Sequence, residues 1–205
     1  MSATIFLEGG GSGPDSKLLV TLCRKSFTLL LKKCGFEGHM SRLFASGSRV
    51  EALKDFCREL KSGNADEYIA MWIDSEDPLT DIEAVWQHLN VRDKWKTPVG
   101  ATDDQVLFMT TCMETLIVAD RAALKEHYGS QFQESALPPM TNLESRDRGD
   151  VQNRLDRATR NCSNRYAKGK RSFELLARLN PATLEQHLPS FKRARRILNE
   201  KLKPA

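Results

Sequence analysis

Acidic residues that follow apolar runs are the side chains of this sequence whose types and spacing could do chemistry. Glu8 ends a short apolar run near the N-terminus, and Asp74, Glu76 and Asp77 follow the continuous apolar run of residues 68–73. If both runs are parallel strands, their carboxyl ends meet at the edge of the sheet where α/β proteins bind ligands. Clustered carboxylates repel one another unless a cation neutralises them, and their hard oxygen atoms favour Mg²⁺ or Mn²⁺. The sequence therefore predicts a divalent metal site at these four residues.

A purely structural role for these carboxylates stays open. Acidic residues after strands often cap helices or solvate loops, and Asp77-Pro78 is by itself typical of a turn. Asp15 is a further candidate metal ligand, but it is also well placed to cap the first helix.

The glycine-rich stretch of residues 9–14 does not match a nucleotide-binding loop. A P-loop needs Lys after its last glycine, whereas Pro14 and Asp15 follow Gly13 here. Pro14 also takes the position of the third glycine in the dinucleotide fingerprint that would begin at Gly9. We therefore expect no NTP binding by this chain, and a tight turn that brings backbone close to metal and phosphate.

A second candidate element is basic and precedes a helix predicted to begin near Ser172. Lys168, Lys170 and Arg171 surround Gly169 there. Lysine can neutralise a phosphate as a point charge, and a helix N-terminus adds backbone donors. A solvated basic loop explains the same spacing, so a phosphate-binding role depends on the metal site.

The C-terminal helix carries a third candidate set, a cationic run that could bind a nucleic-acid backbone: Lys192, Arg193, Arg195 and Arg196. A solvated helix face is the equally weighted alternative. The charge distribution favours an anionic partner, since residues 151–205 hold 14 Lys and Arg against 4 Asp and Glu. Residues 1–150 hold 17 against 23, so the net charge of +4 conceals an acidic and a basic part.

Composition excludes several classes of protein. With 40% hydrophobic and 28% charged residues, the chain is not collagen-like, mucin-like or disordered. No apolar run approaches the ~20 residues of a bilayer span, so no membrane association is expected. The N-terminus lacks the basic and apolar regions of a signal peptide. Five cysteines, without a C-x-x-C pair, favour a reduced, cytoplasmic protein.

Apolar runs and helical periodicities alternate along the chain. Strands are predicted at about residues 3–8, 40–45, 68–73 and 106–110. Helices are predicted at about residues 16–34, 50–62, 82–89, 113–128 (one helix or a pair), 151–161, 172–179 and 182–202, with a polar connection at 129–150. This order predicts an α/β fold, a Rossmann-like, doubly wound parallel sheet flanked by helices. Residues 1–150 would form the core, and residues 151–205 a basic helical part packed on the same domain.

Four segments resemble known proteins in the same order: FLEGGG…DSK, WIDSEDP, TDDQVLFMTTCMETLIVADR and YAKGKRSFELL. The chain resembles the TOPRIM domain, the Mg²⁺-binding α/β unit of topoisomerases, primases and OLD-family nucleases. More closely, it is similar to an uncharacterised bacterial family of TOPRIM-like proteins that are often encoded beside an AAA/OLD-type ATPase. The resemblance implies a TOPRIM-like core and such an ATPase as partner.

The resemblance also implies roles for individual residues. Glu8 becomes a metal ligand or general acid/base, and Asp74 and Glu76 occupy the two positions of a D-x-D motif. Glu at the second position departs from that motif, and Asp77 could serve in its place. Asp15 corresponds to an acid that follows the first glutamate.

The segment with YAKGK supplies the lysine that stabilises transition-state charge in OLD-type nucleases, which is Lys168 or Lys170 here. Glu114 and Asp120 lie in another matching segment, where the resemblance gives them no role.

Three functions remain open from the sequence. The first is a Mg²⁺-dependent nuclease for DNA or RNA, the effector of a two-gene anti-phage defence system with an ATPase partner. The second is a non-catalytic TOPRIM-like subunit that binds and regulates the ATPase. The third is a receiver-like or phosphatase-like pocket in which Asp74 accepts a phosphoryl group. A topoisomerase or a primase would need far more chain than 205 residues.

Overall fold

The computed structural model of the protein describes residues 2–11, 16–62 and 67–202. Within these ranges the strands form one parallel sheet in the order β2-β1-β3-β4. Their bounds are β1 Ser2–Glu8, β2 Arg42–Gly47, β3 Glu67–Asp74 and β4 Val106–Met109. Each of the four predicted strands is thereby confirmed within about two residues at either end.

Helices cover both faces of the sheet. They are α1 Ser16–Leu31, α2 Arg49–Ser62, α3 Val85–Asp93, α4 Met113–Ala119, α5 Arg121–Tyr128, α6 Arg148–Ala158, α7 Lys170–Leu176, α8 Pro181–His187 and α9 Pro189–Leu202. A π-helical turn, Lys32–Phe36, extends α1. The predicted α/β class, a parallel sheet flanked by helices with a helical C-terminal part, is confirmed.

The central strand β3 is buried on both faces, as its continuous apolar run predicts. On one face Trp72 packs edge-on against Phe27 of α1 and lies near Phe191 of α9. On the other face Met71 and Ile73 belong to a smaller apolar cluster with α2 and α3. This double burial fixes the direction in which β3 delivers Asp74.

The C-terminal helices share the larger apolar cluster with the sheet. Leu155 of α6, Phe173 of α7 and Leu198 of α9 are buried in the same cluster as Ile5 of β1. Residues 151–202 therefore pack directly on the α/β core. The division of the chain at residue 150 stays a prediction.

Two predicted elements are wrong in detail. The single helix predicted over residues 182–202 is two helices, because Leu188 is extended before Pro189. A proline disfavours the helical conformation of the residue before it, so α8 ends there and α9 starts at the proline. The connection at 129–150 contains three short 3₁₀ turns, and α6 already begins at Arg148.

In the part of the chain that the structure describes, no helix has the length and apolarity needed to cross a membrane.

Candidate metal centre

Three carboxylates meet at the carboxyl ends of the adjacent strands β1 and β3. Glu8, Asp74 and Glu76 each offer an oxygen atom, and these atoms lie within 4.8 Å of one another. The backbone N–H of Asp74 donates a hydrogen bond of 2.8 Å to Glu8 Oε2, which fixes the first carboxylate against the second strand. The structure thus brings together three of the acidic residues that the sequence singles out.

Backbone and side-chain hydrogen bonds hold the turn after β3. The Ser75 N–H donates to the Met109 carbonyl (3.2 Å) and the Glu76 N–H to the Thr111 carbonyl (2.8 Å). His88 Nε2 donates to the Ser75 carbonyl, 3.0 Å away. Glu76 has a φ of 69°, a left-handed conformation that is uncommon for a residue with a side chain. The turn therefore holds Glu76 in a strained conformation that directs its carboxylate to the cluster.

Asp74 is the most buried of the three carboxylates, and its Oδ1 atom has no hydrogen-bond partner in the described part of the chain. Burial raises its pKa well above the ordinary value, and the charges of Glu8 and Glu114 raise it further. Burial also raises the pKa of Glu8, against the opposing effects of the Asp74 amide and nearby cations.

Burial is the main cause of both pKa shifts, and repulsion from neighbouring carboxylates adds to it at Asp74. Two unit charges 4.8 Å apart repel by about 3.5 kcal/mol at an effective dielectric constant of about 20. A net hydrogen bond contributes only about 1 kcal/mol, so the Asp74 amide does not offset this repulsion. The cluster accordingly favours either a bound proton or a bound cation. Its all-oxygen donors suit a hard divalent ion such as Mg²⁺ or Mn²⁺.

Arg49 of α2 fixes the end of β3. Its Nε donates to the Asp74 carbonyl at 2.9 Å, and its two terminal nitrogens bind Asp93 at 2.9 Å each. The side chain is only 10% exposed, and its Nε lies 3.9 Å from Glu8 Oε2. With its donors occupied by these partners, Arg49 holds the two strand ends in position.

Two further arginines reach Glu76 from other helices. Arg148, the first residue of α6, forms an ion pair with Glu76, and its charge also lowers the pKa of both Glu8 and Asp74. Arg92 of α3 lies 3.6 Å from Glu76 and donates to Asp77 Oδ2 at 2.8 Å. Asp77 is thus paired with Arg92, and it is not part of the three-carboxylate cluster.

A buried hydrogen-bonded group links the basic loop to this cluster. The Tyr166 hydroxyl donates to Glu114 Oε1 at 2.6 Å and lies 2.8 Å from Ser172 Oγ, while Gln152 donates to Glu114 Oε2 at 3.2 Å. Glu114 acts electrostatically on Asp74. The resemblance left Glu114 without a role, and here it positions Tyr166, two residues before Lys168.

The basic residues of that loop differ in their surroundings. Lys168 is exposed, and its charge lowers the pKa of Glu8. Lys170 instead lies 3.9 Å from Glu174 in the same helix, and Arg171 donates to the Arg165 carbonyl. The structure therefore favours Lys168 over Lys170 as the lysine beside the cluster.

The glycine-rich stretch begins with a tight backbone contact. Gly9 exchanges two backbone hydrogen bonds with Gly47, of 2.9 and 2.8 Å. Its φ is +142°, and a Cβ there would lie 2.8 Å from Cys23 Sγ and 3.2 Å from Phe173. Only glycine fits this conformation and this close approach, which ties the end of β1 to α1 and α7. Asp15 lies outside the described residues.

Arg193 of the cationic run on α9 is buried, which corrects the interpretation of an exposed basic face at that residue. Arg193 is 4% exposed and donates to Glu83 and to the carbonyls of Val106 and Asp103, each at 2.9 Å. A buried guanidinium with these partners is not available to a phosphate.

The neighbouring cations on α9 also have acidic partners, with one exception. Arg195 binds Glu185 at 2.5 Å, and Arg196 lies 3.0 Å from Glu83. Lys192 is exposed. Val106 begins β4, so the Arg193 site lies toward the opposite end of the sheet from the three carboxylates.

Asp120 has a structural role. It is 2% exposed, accepts from the Ala123 N–H at 3.0 Å as the cap of α5, and accepts from the Asn180 N–H at 2.8 Å. It therefore joins the start of α5 to the start of α8.

Sequence reasoning missed the arginines that surround the carboxylates. Arg49, Arg92 and Arg148 lie on three different helices, far apart in the sequence and without a common motif. Charge was the one signal that could have indicated them, because three close carboxylates need nearby cations. The flanking helices supply those cations.

Comparisons with known proteins identify a family. Residues 16–198 match the DUF4276 family, whose description is "Domain of unknown function". The matched range contains Asp74, Glu76, Arg148 and Lys168, while Glu8 precedes it. No curated protein and no solved structure matches the chain. Because the match covers most of the chain, the protein belongs to the DUF4276 family.

Proposed function

We propose that this protein is a Mg²⁺-dependent or Mn²⁺-dependent nuclease that hydrolyses phosphodiester bonds of DNA or RNA. One observation carries the proposal: the carboxylates of Glu8, Asp74 and Glu76 converge within 4.8 Å at neighbouring strand ends, and Asp74 Oδ1 is buried without a partner among the described residues. A buried carboxylate oxygen without a hydrogen bond is costly, and a metal ligand position explains it.

The donor set fits a hard divalent cation. Glu8, Asp74 and Glu76 would hold the ion through carboxylate oxygens, and all three are less than one quarter exposed. Such an ion polarises a phosphoryl oxygen and activates water. Asp77 is the less favourable ligand, because it is paired with Arg92.

The surrounding residues supply the remaining requirements for phosphodiester hydrolysis. Lys168 is exposed and its positive charge acts on Glu8, so it would neutralise charge that develops on the phosphate. The Asp74 N–H and Arg49 keep Glu8 in one orientation, which limits the reorganisation that catalysis would require. These contacts support a preorganised site rather than a solvated loop.

A second candidate function also has a specific observation in its favour. Arg148 and Arg92 already neutralise Glu76, as in a site that needs no metal. On this alternative, the protein is a non-catalytic TOPRIM-like subunit that binds and regulates an AAA/OLD-type ATPase. In both cases the proposed setting is cytoplasmic, with an ATPase partner and an anti-phage defence role, as the sequence resemblance implies.

Cleavage assays with matched variants test the proposal. Purified protein is incubated with plasmid DNA or with RNA and Mg²⁺ or Mn²⁺, with and without the product of any adjacent ATPase gene. We expect Glu8→Gln and Asp74→Asn each to reduce cleavage by at least about 10²-fold, a loss typical of removing one electrostatic catalytic group. Lys168→Ala should cause a similar loss, whereas Lys170→Ala, the matched control, should retain most of the activity.

The same set of variants separates the two functions. Absence of cleavage with every metal and partner, or full activity of the Glu8→Gln and Asp74→Asn variants, would refute the nuclease proposal. If those variants still support defence against phage in cells and still bind the ATPase, the non-catalytic alternative is favoured.

A further inference from the structure

We propose that Arg148 occupies the cation position of the carboxylate cluster when no metal is bound, and binds a phosphate of the nucleic acid once a divalent ion displaces it. The inference rests on the proposed metal site and assigns to that site its phosphate-binding residue. Three observations carry it: the partners of Arg148, its exposure, and the contrast with Arg49.

Arg148 contacts Glu76 and acts electrostatically on the other two carboxylates of the cluster. It is ion-paired with Glu76, and its positive charge lowers the pKa of Glu8 and of Asp74. A guanidinium there satisfies carboxylates that would otherwise repel one another. A divalent cation would need the Glu76 carboxylate as well, so Arg148 and the metal would compete for it.

Arg148 has room to leave that place. Its side chain is 32% exposed, whereas that of Arg49 is 10% exposed. Arg49 binds Asp93 through two hydrogen bonds and the Asp74 carbonyl through a third. For Arg148, the one ion pair that the structure gives among the described residues is with Glu76. A long side chain at the first position of α6 can turn outward without disturbing the helix, whose cap is Asp147.

Displacement would turn Arg148 into a phosphate ligand. A divalent ion on Glu76 repels the guanidinium, which must then find another anion close by. Arginine binds phosphate through two parallel N–H donors, and a phosphodiester brought to the carboxylate cluster lies within its reach. Lys168 acts electrostatically on Glu8, so the two cations would approach the anion from different elements.

The inference is tested by one substitution, Arg148→Ala, which should strengthen metal binding and weaken nucleic-acid binding. Mn²⁺ binding is measured by calorimetry, and binding of a fluorescent oligonucleotide by anisotropy with Ca²⁺ present. For Arg148→Ala we expect Mn²⁺ to bind about 2- to 5-fold more tightly, because a competing ion pair of ordinary strength is worth about 0.5–1 kcal/mol. The oligonucleotide should bind about 10-fold more weakly, with a salt slope reduced by about one phosphate contact.

Arg154→Ala is the matched control. Arg154 lies on the same helix and pairs with Asp150 at 2.7 Å on the exposed side, so its removal should change neither affinity. Circular dichroism of each variant checks folding. Arg148→Lys should retain part of the oligonucleotide affinity, because lysine keeps the charge but not the paired donors.

The outcomes separate this inference from the nuclease proposal. If the wild type binds Mn²⁺ and Arg148→Ala binds it equally or more weakly, Arg148 does not compete with the metal and the inference is wrong. Unchanged oligonucleotide affinity in Arg148→Ala also overturns it. If neither protein binds Mn²⁺, the metal site and the proposed function fail together with it. If only Arg148→Ala binds Mn²⁺, the competition is supported directly.

Discussion

Glu76 combines a strained backbone with a candidate metal ligand, and two substitutions separate these properties. Its φ of 69° lies in the left-handed region, which costs a residue with a side chain about 1–2 kcal/mol. Glycine avoids this cost but loses about 0.5–1 kcal/mol through the greater freedom of its unfolded chain. Glu76→Gly should therefore be about 0.5–1 kcal/mol more stable than Glu76→Ala, because both lose the same carboxylate and the same ion pairs.

Thermal unfolding with and without metal measures both properties. For a chain of 205 residues, 1 kcal/mol corresponds to about 2–4 °C, so without metal the glycine variant should melt about 1–4 °C above the alanine variant. Mn²⁺ at about 100 times its dissociation constant stabilises a binding protein by about 2.7 kcal/mol. The wild type should then gain about 5–11 °C, and both variants of Glu76 should lose most of that gain.

Lys94 provides a matched control for strain away from the carboxylates. It has a φ of 61° at the end of α3, so Lys94→Gly should likewise exceed Lys94→Ala in stability, with the metal-dependent gain intact. Equal stability of Glu76→Gly and Glu76→Ala would refute the argument that the turn holds Glu76 in a strained conformation. A full metal-dependent gain in both variants would refute its role as a ligand.

Two further predictions concern groups outside the carboxylate cluster. Burial raises the pKa of Glu144, which accepts hydrogen bonds from Ser190, from 4.5 to about 7. Because the folded protein holds the proton more tightly than the unfolded chain, protonated Glu144 stabilises the fold. This stabilisation is complete below about pH 4.5 and is lost as the pH rises through about 7. Between pH 5 and pH 8, the free energy of unfolding in urea should therefore fall by about 2–3 kcal/mol more for the wild type than for Glu144→Gln. An equal decrease in both proteins would contradict the raised pKa of Glu144. Arg193→Met should cost about 2–3 kcal/mol, because it leaves the carbonyls of Val106 and Asp103 without their charged donor. Lys192→Met, its exposed neighbour, should change stability by less than about 0.5 kcal/mol, and similar costs for both would contradict the burial of Arg193.

The strands and the acidic residues at their ends were predictable because both depend on local pattern. The run of residues 68–73 is apolar at every position. At this length, such a run is typical of a strand that is buried on both faces. Residues that follow such strands lie at the ligand-binding edge of a parallel sheet, so Glu8, Asp74 and Glu76 could be grouped without coordinates.

The partners of those residues were not predictable in the same way. Which arginine reaches Glu76 depends on how α3 and α6 pack, and no sequence spacing encodes that contact. Arg193 is a different case, because helical periodicity contained a signal. It lies four residues before the buried Ile197, on the apolar face of α9, and its charge alone suggested solvent. A cation on an apolar face should be read as buried and paired until a surface role is shown.

Arg49 and Arg148 differ in their number of partners, and this difference distinguishes a structural arginine from one that could act in function. Arg49 binds a backbone carbonyl and both oxygens of Asp93, so its loss would remove three hydrogen bonds from buried groups, leave Asp93 with Arg92 alone and act on stability. Arg148 is more exposed, and its ion pair with Glu76 would have to give way to the proposed metal. In a non-catalytic subunit the two arginines should behave alike, since both would only neutralise buried acids. In a nuclease they must differ, because one of them has to give up its carboxylate partner before the metal can bind.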